Sequence, residues 1–268
     1  MMENVIEFRS VTFKYPDGPV ALDDISVSIE PGSFIAILGN NGAGKTTFVK
    51  CINGLLKPTI GDVIVNGINT KDVSVADMSK TTGLVFQNPD NQLFSASIHD
   101  EIEFSLRNSG TPESEIDQKI KKTLKLLDLS HLEEKSPFLL SGGERKRTAF
   151  ATLICMDQPV FIADEPTQGQ DQVQREKIKK ILLEMQEMGK TIIVITHDLD
   201  FIMELATRIL VFENGKIKLD GMVNEIFKDD KSVALSNLLS TQELELRWFY
   251  RTIINENNIF SDDITSVI

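Results

Sequence analysis

Hydrophobic and polar positions alternate with a period of two through VIEFRSVTF (Val5–Phe13) and again through ISVSIE (Ile25–Glu30). That is the pattern of strands with one buried face. Turn signals at Pro16–Gly18 and Pro31–Gly32 punctuate them. FIAIL, VFIAD, TIIVIT and RILVF differ, because each is short and almost continuously apolar. Such runs fit strands buried on both faces of a sheet. DVIVNG at Asp62–Gly67 is a further strand closed by a tight turn. From about Asn88 to Cys155 the period changes, and EIDQKIKKTLKLLDL and GGERKRTAFATLICM read as helices. Helical stretches at Gln172–Met188 and Asp198–Ala206 then separate the remaining apolar runs. Strands alternating with helices predict an α/β protein with a mostly parallel sheet and an inserted helical subdomain. After Asp230, ELELRWFYRTII predicts a helix with an apolar face before a polar, acidic end.

Composition narrows the class. The chain has 268 residues, 41% hydrophobic and 25% charged, as expected of a globular protein with a real core. Its formal net charge is −12, and no strong basic stripe argues for duplex DNA. The densest basic spots, Lys119–Lys122 and Glu144–Arg147, read as solvated helix faces. Cys51 and Cys155 are isolated, which predicts neither a disulfide framework nor a metal site, and a reducing compartment. The opening MMENVIEFRS lacks the basic and apolar regions of a leader. The apolar runs fall short of the roughly 20 residues of a membrane span, so the chain is expected to be soluble by itself.

The chemistry concentrates at the ends of the apolar runs. GNNGAGKT fits G-x-x-x-x-G-K-[ST], with an apolar strand before it and a helix after. Glycines let backbone N–H groups close on an anion, and the helix N-terminus adds its positive end. Lys45 is placed to reach β- and γ-phosphates, and the Thr46 hydroxyl to ligate Mg²⁺. VFIADE ends a buried strand in two carboxylates. Asp164 suits a metal held through water, and Glu165 suits a general base. Gln87 follows GLVF and His197 follows TIIVIT, again at strand ends. Gln87 offers an amide for a metal and a γ-phosphate, and His197 an imidazole that bonds the phosphate and orients water. Taken alone, either is equally a structural residue. His99 and His131 carry no such pattern.

LSGGE is a second phosphate-binding pattern. Ser141 with Glu144 three positions later forms a capping box, and this alone would explain a well-started helix. Gly142 and Gly143 imply more, since glycines are poor helix formers used where backbone approaches something closely. Spacing leaves open whose anion the turn binds.

GNNGAGKTT, Phe86–Gln87, LSGGE, VFIADEPT, Asp171 and Thr196–His197 stand in the order found in the ABC-type ATPases of membrane transporters, and Val5 to Asp230 resembles that family. The resemblance implies a P-loop NTPase fold of ABC type: a RecA-like parallel sheet core with an antiparallel β subdomain and an inserted helical subdomain at about 88–157. It implies an ABC ATPase domain over 1–230 and a C-terminal helical extension at 231–268, whose Leu244, Leu246, Trp248, Phe249 and Ile253 would either support pairing or fold back on their own domain. In the family two subunits pair head to tail, and each ATP lies between the phosphate loop of one and the LSGG helix of the other. By position, Tyr15 would stack on adenine with Val20 nearby. Gly39, Asn40, Asn41, Gly42, Ala43, Gly44, Lys45, Thr46 and Thr47 would hold the phosphates. Thr46 and Gln87 would ligate Mg²⁺, with Asp164 behind them. Glu165 would be the base and His197 its positioning partner, while Ser141, Gly142 and Gly143 would act across the dimer.

FQNPDNQLFSASIHDEIEFSLRN is similar to the corresponding segment of energy-coupling factor importer ATPases. The likeness implies ATP and Mg²⁺ as cofactors, and a second ABC ATPase subunit, identical or paralogous, as a partner. It further implies a transmembrane coupling subunit and a substrate-binding membrane subunit, with Asn88–Phe104 as the partner-facing surface. No nucleic acid is expected, and the location would be peripheral, at the cytoplasmic face of the cell membrane. One departure stands out: the usual EPTxGLD, with a small residue at x, reads EPTQGQD here, with Gln168 and Gln170. A related alternative is an ABC-type ATPase acting on DNA or the ribosome. The absence of heptads between Lys45 and Ser141, the single cassette and the acidic balance weigh against it.

Overall fold

A computed structural model describes residues 4–228. The expected helix of the 231–268 extension, with Leu244 to Ile253, lies outside the described residues. The chain opens with β1 (Ile6–Lys14) and β2 (Val20–Ile29), then β3 (Phe34–Gly39), α1 (Lys45–Ile52), β4 (Ile60–Val65) and the short β5 (Ile68–Asn69). There follow α2 (Val75–Met78), β6 (Thr82–Val85), α3 (Ile98–Asn108), α4 (Glu113–Leu126) and α5 (Gly142–Ile154). The last part runs β7 (Val160–Asp164), α6 (Gln172–Glu187), β8 (Thr191–Ile195), α7 (Leu199–Leu205), β9 (Arg208–Glu213), β10 (Lys216–Met222) and α8 (Val223–Lys228).

Two sheets form. A four-stranded sheet has the order β2-β1-β4-β5, and its pairings are antiparallel. A six-stranded sheet has the order β10-β9-β3-β8-β7-β6, parallel except for β10 against β9. The sequence reading predicts no strand at Lys216–Met222. The chain reverses there through Asn214 and Gly215, both at positive φ, which is the backbone of a two-residue hairpin turn.

The apolar strands are buried on both faces because both are covered. Phe34, Ala36 and Leu38 of β3 join one apolar cluster with residues of α3 to α7. Ile35 and Ile37 join a second cluster with α1 and the antiparallel sheet. The period of two thus delivers alternate residues to opposite layers. The two helices expected between Asn88 and Cys155 form as α4 and α5, a third, α3, precedes them without having been expected, and Ile102, Ile120 and Phe150 enter the same cluster as the sheet.

This topology positions the site. In the parallel register Val85 pairs with Ala163 and Asp164 with Ile195, so β6, β7 and β8 end at a common edge beside β3. Gly39, Gln87, Glu165 and His197 all sit at or just beyond those carboxyl ends, where open α/β sheets bind ligands.

Phe48 joins the loop helix to both sheets. It is fully buried, stacked on Phe8 at 4.2 Å between ring centroids and tilted against Phe212 at 5.1 Å. Phe48→Ala is expected to cost about 3–5 kcal/mol of stability in denaturant unfolding. A loss of less than about 1 kcal/mol would mean that the junction between the layers does not depend on this ring.

Candidate active site

The phosphate loop is shaped by what glycine permits. Gly44 has φ +107°, and a Cβ there would lie 2.5 Å from the Ala21 carbonyl. Only glycine fits, and the chain passes directly into α1. That helix has no side-chain cap and no acidic residue in its first turn, which leaves its N-terminal amides to an anion. Lys45 is buried, and its Nζ donates to the carbonyls of Gly39 at 2.5 Å and Asn40 at 3.0 Å. Burial pushes the Lys45 ammonium below its ordinary range, opposed by the charges of Asp164 and Glu165.

A cavity of about 370 Å³ opens beside the loop, lined by Tyr15, Val20, Asn41, Gly42, Ala43, Gly44, Lys45, Thr46, Thr47, Gln87, Asp164, Glu165 and His197. Most residues singled out in the sequence therefore meet in one place. Gly39 and Asn40 do not line it, and serve through their carbonyls. Tyr15 stands at the rim with its ring edge-on to Phe13, and its hydroxyl lies 3.2 Å from Thr47 Oγ1. Thr46 Oγ1 donates to Asp164 Oδ2 at 3.2 Å.

Burial raises the carboxyl pKa of Asp164, countered by the Thr46 hydrogen bond and by Lys45, Lys146 and Lys50. Glu165 is raised for the same reason. His197 pulls it down, and Asp164 pushes it further up. The Glu165 backbone has φ +52°, unusual for a residue with a side chain. Its N–H donates to the Ile195 carbonyl at 2.8 Å, and His197 Nε2 stands 3.5 Å from its Oε1.

Ser141, Gly142 and Gly143 are not brought to this cavity. Ser141 and Gly142 are exposed at the start of α5, where the capping box forms in both directions: Glu144 N–H to Ser141 Oγ at 3.3 Å, and Ser141 N–H to Glu144 Oε2 at 2.8 Å. The two departures flank the loop beyond β7. Gln168 Oε1 accepts from Gln87 Nε2 at 3.3 Å. Gln170 Nε2 donates to the Gly143 carbonyl at 3.3 Å, and its Oε1 accepts from Arg147 at 3.4 Å.

The basic cluster Glu144–Arg147 is not the solvated face it was expected to be. Lys146 is buried, with its Nζ donating to the carbonyls of Glu165 and Gln168. A signal was available: Lys146 falls on the same stripe of α5 as Ala149, Phe150 and Leu153. Cys51 and Cys155 are buried free thiols, and burial pushes each up to about 12.

The family model of the ABC transporter matches residues 22–168. The chain belongs to the ABC transporter family of ATP-binding cassettes, and it is an ATP hydrolase with the P-loop fold of that family. Its relatives within the family include energy-coupling factor transporter ATP-binding proteins. The energy-coupling factor transporter ATP-binding protein EcfA2 of Clostridium perfringens is 39% identical over 259 residues, 95% of this chain and 90% of the relative. The structure of cbiO1 from Clostridium perfringens, part of the ABC transporter complex cbiONQ, superposes with a TM-score of 0.74 at 35% identity, over 91% of this chain and 98% of that one. A dimeric ATP-binding cassette in a post-hydrolysis state, bound to ADP and Pi, superposes with a TM-score of 0.74 at 28% identity, over 81% of this chain and 98% of its own.

The raised Glu165 carboxyl has a consequence for stability. A carboxyl raised by folding binds more protons in the folded state, so stability falls as pH climbs from the ordinary carboxyl range through the folded value. Without nucleotide or divalent ions, Glu165→Gln is expected to melt above the parent at neutral pH. The gap should close as pH falls into the ordinary carboxyl range. A variant that melts no higher than the parent at neutral pH would show that ionising the buried side chain does not destabilise the fold.

Proposed function

We propose that this chain is the ATP-hydrolysing subunit of a membrane importer of energy-coupling factor type, working as one half of a head-to-tail pair. The observation that carries the pairing is a separation: Lys45, Thr46, Asp164, Glu165 and His197 share one cavity, whereas the Ser141 turn opens on another, exposed surface. Such a turn with its helix N-terminus suits the phosphates of a nucleotide held by a second subunit, identical or paralogous.

In this reading ATP lies with adenine against Tyr15 and Val20 and its phosphates over Asn40 to Thr47. Lys45 leaves its loop carbonyls to reach the β- and γ-phosphates. Thr46, Gln87 and Asp164 offer hard oxygen ligands at one end of the cavity, a donor set that fits Mg²⁺. Thr46 and Gln87 would hold the ion, with Asp164 behind them. Bound Mg²⁺ would neutralise charge on the phosphates. Glu165 accepts the proton of the attacking water, and His197 fixes the water's direction. Positioning and charge stabilisation then do most of the work, since phosphoryl transfer needs little covalent help from protein. Closure on ATP and release after hydrolysis make the pair a two-state motor.

The membrane partner has a natural seat. A groove of about 290 Å³ between α3 and the sheet includes Phe94, Phe104, Leu55 and Val75, all exposed. Phe94 and Phe104 meet edge to face at 4.9 Å. Buried Glu101 accepts from the N–H groups of Phe94 at 3.0 Å and Ser95 at 2.7 Å, holding the aromatic loop outward. Among the described residues no helix is long and apolar enough to cross a membrane. Attachment through this groove, peripheral and at the cytoplasmic face, follows from the reading, with a coupling subunit and a substrate-binding subunit in the membrane.

Two measurements test it. Glu165→Gln should bind ATP as the parent does, lose turnover by about 100-fold or more, and accumulate ATP-bound dimers in size-exclusion chromatography. Turnover at the parent rate would remove Glu165 as the base. A tagged chain recovered from mildly solubilised membranes of the native cell should bring a membrane protein with it, with or without a second ATPase. Recovery of ribosomes or nucleic acid without a membrane protein would replace the importer by the DNA or ribosome alternative.

A further inference from the structure

Lys146 does not line the nucleotide cavity, yet it is among the charged side chains the described residues bury, at 5% exposure. Removing an ammonium from water costs several kcal/mol unless its donors are satisfied. Among the described residues no carboxylate stands within ion-pair distance of Lys146. Its partners are two backbone carbonyls, those of Glu165 and of Gln168, the latter at 3.1 Å. These are the two ends of one tight turn, closed by the Gln168 N–H to the Glu165 carbonyl at 3.3 Å. The lysine therefore grips that turn at both ends.

The turn needs a grip. Glu165 sits at φ +52°, a backbone state that is strained for a residue with a side chain and persists only where its surroundings impose it. The Ile195 carbonyl holds the N–H of Glu165, and Lys146 holds its carbonyl. Between them they fix the peptide planes on either side of the Glu165 Cα, and so the direction in which its carboxylate leaves the chain.

We propose that Lys146 is a positioning residue for hydrolysis: from α5 it staples the Glu165–Gln168 turn and so aims the Glu165 carboxylate at the attacking water. The proposal rests on Glu165 being the base. It has a mechanical consequence, because α5 begins at the Ser141 turn that faces the partner's nucleotide. A shift of α5 on closure reaches the subunit's own base through one side chain. The same turn accepts from Gln87 of the nucleotide cavity through the Gln168 side chain.

The experiment is steady-state hydrolysis by the purified full chain in three variants. Lys146→Met and Lys146→Leu remove the donors in two shapes, so one misfolded protein leaves the other to decide. Lys146→Arg keeps donors. The apolar variants are expected to bind ATP with the parent affinity and show an unchanged KM, with kcat lower by on the order of 10- to 100-fold. Lys146→Arg should recover part of that loss. A folded apolar variant with the parent kcat would overturn the proposal, as would a loss confined to KM. Parent turnover in Glu165→Gln would instead remove the base itself, so the two failures are distinguishable.

Discussion

Everything in this fold bears on the placing of two carboxylates where water is scarce. β7 is buried along its whole length, ends in Asp164 and passes directly into Glu165. Burial raises both carboxyls, and the charge of Asp164 pushes Glu165 further up. Two ammonium groups, Lys45 from the phosphate loop and Lys146 from α5, balance them, and burial lowers both of these in turn. A cluster of this kind is unfavourable in isolation and persists because the surrounding layers fix it. It is also what a phosphate chain and a hard cation require: charges held in advance, in a dry place, at a sheet's carboxyl edge.

The chain carries two phosphate-binding patterns, and the structure holds them apart. The glycine loop is built over the carboxylates, and its Gly44 admits no Cβ. The Ser141 turn is a well-capped helix start facing elsewhere, free of the cavity that holds Lys45. Gln170 ties that turn to the loop after β7, and Gln168 ties the same loop to Gln87. The two residues that depart from the family pattern thus act as amide links between elements.

The buried strands, the glycine loop and the strand-end residues were legible in the sequence because period and spacing encode them directly. The shared cavity of Tyr15, Lys45, Gln87, Asp164, Glu165 and His197 followed from strand order, which a resemblance could imply and periodicity alone could not. The burial of Lys146 is marked only by its register on the apolar stripe of α5, because its basic neighbours Arg145 and Arg147 give the run the composition of a solvated face. The strand at Lys216–Met222 escaped because half-exposed alternation beside a turn is a weak signal. Neither Gln168 nor Gln170 has a local signature, since their partners lie 81 and 27 residues away along the chain.

In the proposed pair the phosphate loop of one subunit meets the Ser141 turn of the other. Asn41→Cys with Ser141→Cys in one chain tests it by disulfide trapping, because both positions are exposed while Cys51 and Cys155 are buried and resist ionisation. With ATP, the account predicts a disulfide between chains, seen as a dimer on a non-reducing gel and lost without nucleotide. A disulfide formed within a single chain, or none in either condition, would contradict it.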